Sequence, residues 1–197
     1  MLDTTWSFAC PAWEAKLRSG QTPIPDLPLD PVESVVAVAL LDKLRLPDVP
    51  GQPTFGQVGG EWVRDIVRAA FGSVDPVTQL RRVGELFVLI PKKNGKTTNS
   101  AALGLIALQM NRTPNIDGMI VGPTQEVAEK CFAQAVGMIE ADEYLRRRFH
   151  VIAHKKTIVD LYRDPETGVR RNAKLKIKSF DLNVVTGSIP AFAIIDE

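Results

Sequence analysis

Two spacings of apolar residues alternate along the chain. In 60–72, Trp62, Val63, Ile66, Val67 and Ala70 recur at helical spacing and share one face, and Gly72 closes the segment. A second helix begins at Asp30-Pro31-Val32-Glu33, with Asp30 as cap, Pro31 at the first helical position and Glu33 completing a capping box. It runs to about Leu46 and is apolar nearly all round, which predicts burial of much of it. Helices are also expected over 97–109, 124–140 and 141–149. Short apolar runs predict strands at 84–90 and 118–122 and at the final stretch from Ala191, which ends in Asp196 and Glu197. The runs 157–162 and 173–178 flank Asp164-Pro165-Glu166-Thr167-Gly168, which is turn chemistry, so they predict a β-hairpin.

Strands alternating with helices predict an α/β fold with a mostly parallel central sheet flanked by helices and an inserted hairpin. Residues 22–28 are too proline-rich for helix or sheet and are expected to run extended over a surface, in a loosely structured stretch 1–29. The natural division is an extended and helical region 1–54 and an α/β domain 55–197.

The chemistry concentrates at two strand ends. Leu86 to Ile90 stops at Pro91, and Lys92-Lys93-Asn94-Gly95-Lys96-Thr97-Thr98 opens into an Ala-rich helix. Strand, polar loop and helix in that order, with Gly-Lys-Thr at the helix start, form a Walker A phosphate loop, although Ile90 stands where the first glycine usually falls. Amide groups at a helix N-terminus and the helix dipole both favour an anion. Pro91 to Thr98 would cradle ATP, Lys96 reaching the terminal phosphates and Thr97 offering its hydroxyl to Mg2+. The strand ending in Asp196 and Glu197 fits Walker B: Asp196 for the metal ion, Glu197 for the attacking water. Both features fall at strand carboxyl ends, where such sheets bind ligands. Together they predict an ATP hydrolase of the RecA-like P-loop NTPase class.

Composition narrows this little. The chain has 197 residues, 45% hydrophobic, with a net charge of +1, so no global basic signal points to nucleic acid. Two cysteines without ligand spacing suit a reducing cytosol. No signal peptide opens the chain and no apolar run approaches the ~20 residues of a membrane span, so no membrane partner is expected. Lys174, Lys176 and Lys178 share one strand face, and Arg146-Arg147-Arg148 forms a basic helix end; solvated faces are the expectation for both, with DNA phosphates as the sharper alternative for the lysines. His150 and His154 lack a third ligand nearby. Trp6, Trp13, Met110, Met119 and Met138 are expected to pack in the interior.

The whole pattern resembles the ATPase domain of the large terminase subunit of tailed bacteriophages. The loop Ile90-Pro91-Lys92-Lys93-Asn94-Gly95-Lys96-Thr97 is close to the family's form, which also lacks the first glycine. Trp62 with Phe71-Gly72, Arg81-Arg82, Val121-Gly122-Pro123-Thr124-Gln125, and Gly187-Ser188-Ile189-Pro190 before Ile194-Ile195-Asp196-Glu197 match further segments, over about 55–197. The resemblance implies packaging of double-stranded DNA into procapsids in the host cytoplasm, with a portal protein, a small terminase subunit and a homo-oligomeric ring as partners. It makes Lys96, Glu197 and Lys92 the catalytic residues, Lys92 standing where many members have an arginine, and Thr97 and Asp196 the metal ligands. It leaves the adenine contact unassigned, the nearest glutamine to Trp62 being Gln57. The family's coupling motif and nuclease domain are expected beyond Glu197, so the fold is expected to be incomplete at its C-terminus and turnover by these residues alone weak or absent. A helicase-like or other RecA-type ATPase, or a nucleotide-binding assembly module without turnover, are the alternatives.

Overall fold

The computed structural model describes residues 10–179 and 190–196. Its centre is a five-stranded sheet in the order β2-β3-β4-β1-β5. The strands are β1 (Asp117–Gly122), β2 (Phe149–Ile152), β3 (Thr157–Asp160), β4 (Lys174–Ser179) and β5 (Phe192–Ile195). β1 lies between β4 and β5 and runs parallel to both, with Ile120 opposite Ile177 on one side and Ile194 on the other. β3 is antiparallel to β4 and β2 antiparallel to β3. The expected hairpin therefore exists, but it is not a peripheral insertion: its second arm, β4, is an inner strand of the main sheet. That placement also changes the lysine face, since Lys176 is half-buried and its ammonium donates to Asp117 Oδ2 at 2.7 Å.

Seven helices are described: α1 (Trp13–Arg18), α2 (Pro31–Lys43), α3 (Phe55–Val58), α4 (Glu61–Gly72), α5 (Lys96–Met110), α6 (Gln125–Glu140) and α7 (Glu143–Arg148). α5 packs against α6, α2 and α4 and against β4 and β5. Being surrounded, it is apolar and small on every side, and every residue from Leu105 to Met110 is buried. One core joins Ala37, Leu41 and Leu44 of the α2 segment to Val67, Leu105, Ile120 and Leu175. Met110, Met119 and Met138 lie in the interior as expected.

Several local expectations change. Asp30 caps α2, accepting from the amides of Val32 and Glu33, but no capping box forms. The Asp30 amide is already donated to the Gly72 carbonyl at 2.8 Å, and the Glu33 carboxylate pairs with Arg112 instead. The outer face of α2 carries Val32, Val35 and Val36 in solvent, so this helix is less buried than its composition suggests. Trp13 is 54% exposed on the short helix α1, which falls within the stretch expected to be irregular; Trp6 lies outside the described residues.

The largest difference concerns 84–90, expected as the strand entering the phosphate loop. It forms no strand, and Phe87 and Leu89 are 83% and 85% exposed. An apolar run becomes a strand only where a neighbouring edge offers amide and carbonyl partners, and among the described residues no backbone hydrogen bond ties it to the sheet.

The far end of α5 is pinned by charge. Arg148 forks onto the fully buried Asp160, with Nε to Oδ1 at 3.1 Å and Nη2 to Oδ2 at 2.9 Å, which corrects the reading of all three arginines 146–148 as a solvated helix end. Arg148 and Arg171 both donate to the Gln109 carbonyl, at 3.2 and 2.7 Å, and their guanidinium groups lie 4.8 and 4.6 Å from the Tyr162 ring centroid. Cations at a helix C-terminus complement its dipole. Removing one partner of a buried pair strands the other charge, at about 3–5 kcal/mol. Asp160→Ala is therefore expected to lower unfolding stability by about that amount in a denaturant titration, whereas removing the surface pair partner Glu143 should shift it by under about 1 kcal/mol.

Candidate nucleotide-binding site

The loop before α5 is shaped by two left-handed residues. Lys93 has φ 69° and Gly95 φ 71°, a region glycine enters without strain. Gly95 is the residue before the first turn of α5, and its carbonyl accepts the Asn99 amide at 2.8 Å. The Asn94 side chain folds back to donate to the Pro91 carbonyl at 3.3 Å. First-turn amides of a helix have no partner within it, so those of Lys96, Thr97 and Thr98 are available to an anion. Pro91, Lys92, Lys93, Asn94 and Gly95 are exposed; Lys96, Thr97 and Thr98 are half-buried. The Thr98 hydroxyl has a protein partner, donating to Gln134 Oε1 at 3.1 Å.

Asp196 follows β5 and is held to β1 by its own amide, which donates to the Val121 carbonyl at 3.0 Å. It is 4% exposed, and its Oδ2 has no hydrogen-bond partner among the described residues. Cys131 of α6 connects it to the loop helix: its Sγ lies 3.8 Å from the Thr97 carbonyl oxygen. Burial first, and the Asp196 charge second, push the Cys131 thiol up to about 12. Cys131 thus touches the start of α5, and α5 in turn packs on β5, the strand that Asp196 follows. Glu197, together with Gly187, Ser188 and Ile189, lies outside the described residues.

A buried carboxylate oxygen without a donor suits a hard cation that takes oxygen ligands. Among the described residues no group of three or more His, Cys, Asp or Glu gathers to hold a metal, so Mg2+ here would take few protein ligands and keep water and phosphate oxygens. His150 on β2 and His154 in the following turn are both exposed.

Beside the loop lies a cavity of about 340 Å³, lined by Asn94, Gly95, Thr98 and Asn99 together with Pro47, Asp48, Val49, Trp62 and Gln134. Asp48, Val49 and Gln134 carry no motif, and only the folded chain brings them to the loop. Gln57 Oε1 already accepts the Thr54 amide at 2.8 Å in a capping box.

This fold, with a glycine-lysine-threonine loop opening a buried helix beside an acid-terminated strand, is that of the P-loop NTPase class. Residues 61–197 match the family described as terminase large subunit, ATPase domain. The chain therefore belongs to the ATPase-domain family of large terminase subunits, which takes precedence over the helicase-like alternative. The fold is similar to that in the crystal structure of the HK97 bacteriophage large terminase, with a TM-score of 0.63 and 22% identity over 83% of this chain. The chain spans 31% of the length of that protein. No curated protein sequence matches it. No described helix is long and apolar enough to cross a membrane.

A thiol whose pKa rises on folding stays protonated where the unfolded chain would already ionise, so its contribution to stability is full below the ordinary value of 9.0 and is lost as pH rises towards about 12. Because only the thiolate is nucleophilic, native Cys131 is expected to resist iodoacetamide at pH 8 and to label once denaturant unfolds the chain, as measured by mass spectrometry.

Proposed function

We propose that the chain is the ATPase motor part of a phage large terminase, hydrolysing ATP to drive double-stranded DNA into procapsids. The observation that supports this reading is the packing of α5 on β5, with Gly104 against Ile194 and Cys131 against the Thr97 carbonyl, so that the helix opened by the loop lies on the strand that leads to Asp196.

In this reading the triphosphate lies along Pro91 to Thr98, held by first-turn amides. Lys96 places its ammonium against the terminal phosphate, where negative charge grows as the bond to the leaving group breaks. Lys92 adds charge from the exposed side of the loop; lysine does so without the planar fork of an arginine. Thr97 and Asp196 would hold Mg2+, which when bound neutralises phosphate charge. Glu197 orients and polarises the water that attacks the γ-phosphate in line. The partners proposed are double-stranded DNA, a portal protein, a small terminase subunit and further copies in a ring. The place of action proposed is the host cytoplasm, transiently on the procapsid portal. A motor must hold DNA of any sequence, so phosphate contacts should dominate its grip.

Titration with a fluorescent ATP analogue in Mg2+ is expected to show saturable binding that Lys96→Ala weakens by at least about tenfold, the size of one lost charge-assisted contact. Asp196→Ala should remove the enhancement by Mg2+ while leaving weak metal-free binding. Unchanged affinity in Lys96→Ala would overturn the reading.

A further inference from the structure

The cavity beside the loop contains more than phosphate-binding groups. Its walls include the apolar side chains of Val49, Phe55, Val58 and Trp62, a suitable setting for a flat aromatic base. Into the same cavity comes a polar chain linking three separate parts of the fold. Thr98 in the first turn of α5 donates to Gln134 of α6, and Gln134 Nε2 donates to Asp48 Oδ2 in the connection between α2 and α3.

The chemistry of this chain fixes its direction. A carboxylate only accepts, so the amide nitrogen of Gln134 must face Asp48, and its oxygen is left to accept the Thr98 hydroxyl. Among the described residues two valences remain unused along it: Asp48 Oδ1 as an acceptor, and the second Nε2 hydrogen of Gln134 as a donor. An adjacent acceptor and donor complement the edge of adenine that carries N7, where the 6-amino group donates and N7 accepts; guanine presents two acceptors, O6 and N7, on that edge. Resting on the nucleotide site proposed above, we propose that Asp48 and Gln134 are its base-reading pair, Asp48 accepting the 6-amino group of ATP and Gln134 donating to N7.

Thr98 gives the pair a second property. It belongs to the first turn of α5, beside the amides that face the phosphates, so the base reader and the phosphate loop are tied through one hydrogen bond. Asp48 itself is exposed and bears no core packing, so its substitution tests recognition and not folding.

The test compares ATP with purine riboside triphosphate, which lacks only the 6-amino group, and with 7-deaza-ATP, by equilibrium titration in Mg2+. The unmodified chain is expected to bind ATP about tenfold tighter than purine riboside triphosphate, as for one hydrogen bond to a charged acceptor. Asp48→Ala should bring that ratio to about one by weakening ATP alone. Gln134→Ala should remove the preference for ATP over 7-deaza-ATP. Persistence of the ATP preference in Asp48→Ala, or its absence from the unmodified chain, would overturn the pair while leaving the nucleotide site intact. Binding of none of these nucleotides, or binding indifferent to Lys96→Ala, would overturn the nucleotide site itself and the pair with it.

Discussion

The arrangement depends on how closely α5 lies on the sheet. At Gly104 a side chain would begin 2.8 Å from Ile194 Cδ1 and 3.2 Å from Leu175 Cδ2, so a larger residue there must displace those side-chain tips or move the helix away from β4 and β5. That contact sets the distance between the helix that begins at the loop and the strand that ends at Asp196. The approach of the loop's helix to the strand that leads to Asp196 is thus a packing result, helped by a glycine seven residues from Thr97. The same tight packing keeps Cys131 out of solvent.

The opposite end of α5 is held differently. Its Gln109 carbonyl meets two guanidinium groups, and one of these is fixed by a carboxylate with no solvent contact. Burying such a pair gives little net stability relative to an apolar replacement, but it tolerates no loss of one partner. The helix is therefore located at one end by shape and at the other by charge, with the β3–β4 hairpin as the second party to both.

Much of the fold was legible in the sequence. The Gly122-Pro123-Thr124 turn into α6, the Asp30-Pro31 start of α2 and the turn at Asp164–Gly168 are local signals, and each appears where hydrogen bonding within a few residues decides the outcome. What local pattern could not reveal depends on distant partners. Arg148 looks like its neighbours until Asp160 is folded against it, and Glu33 looks like a capping residue until Gly72 takes the amide it needs. Leu86 to Ile90 has strand composition, yet composition supplies no neighbouring edge. Asp48 and Gln134 are unremarkable in a list of residues and gain meaning only from the cavity they share.

The exposed run 84–90 gives the loop one firm anchor and one loose one. Downstream, every residue of α5 from Leu105 to Met110 is buried; upstream, Phe87 and Leu89 face water. Segments with few buried contacts open at low free-energy cost. In the reading proposed above, a triphosphate arriving at such a loop would also order its upstream arm, and part of the binding energy would be absorbed in doing so. Stiffening that arm would then raise nucleotide affinity without touching a nucleotide atom.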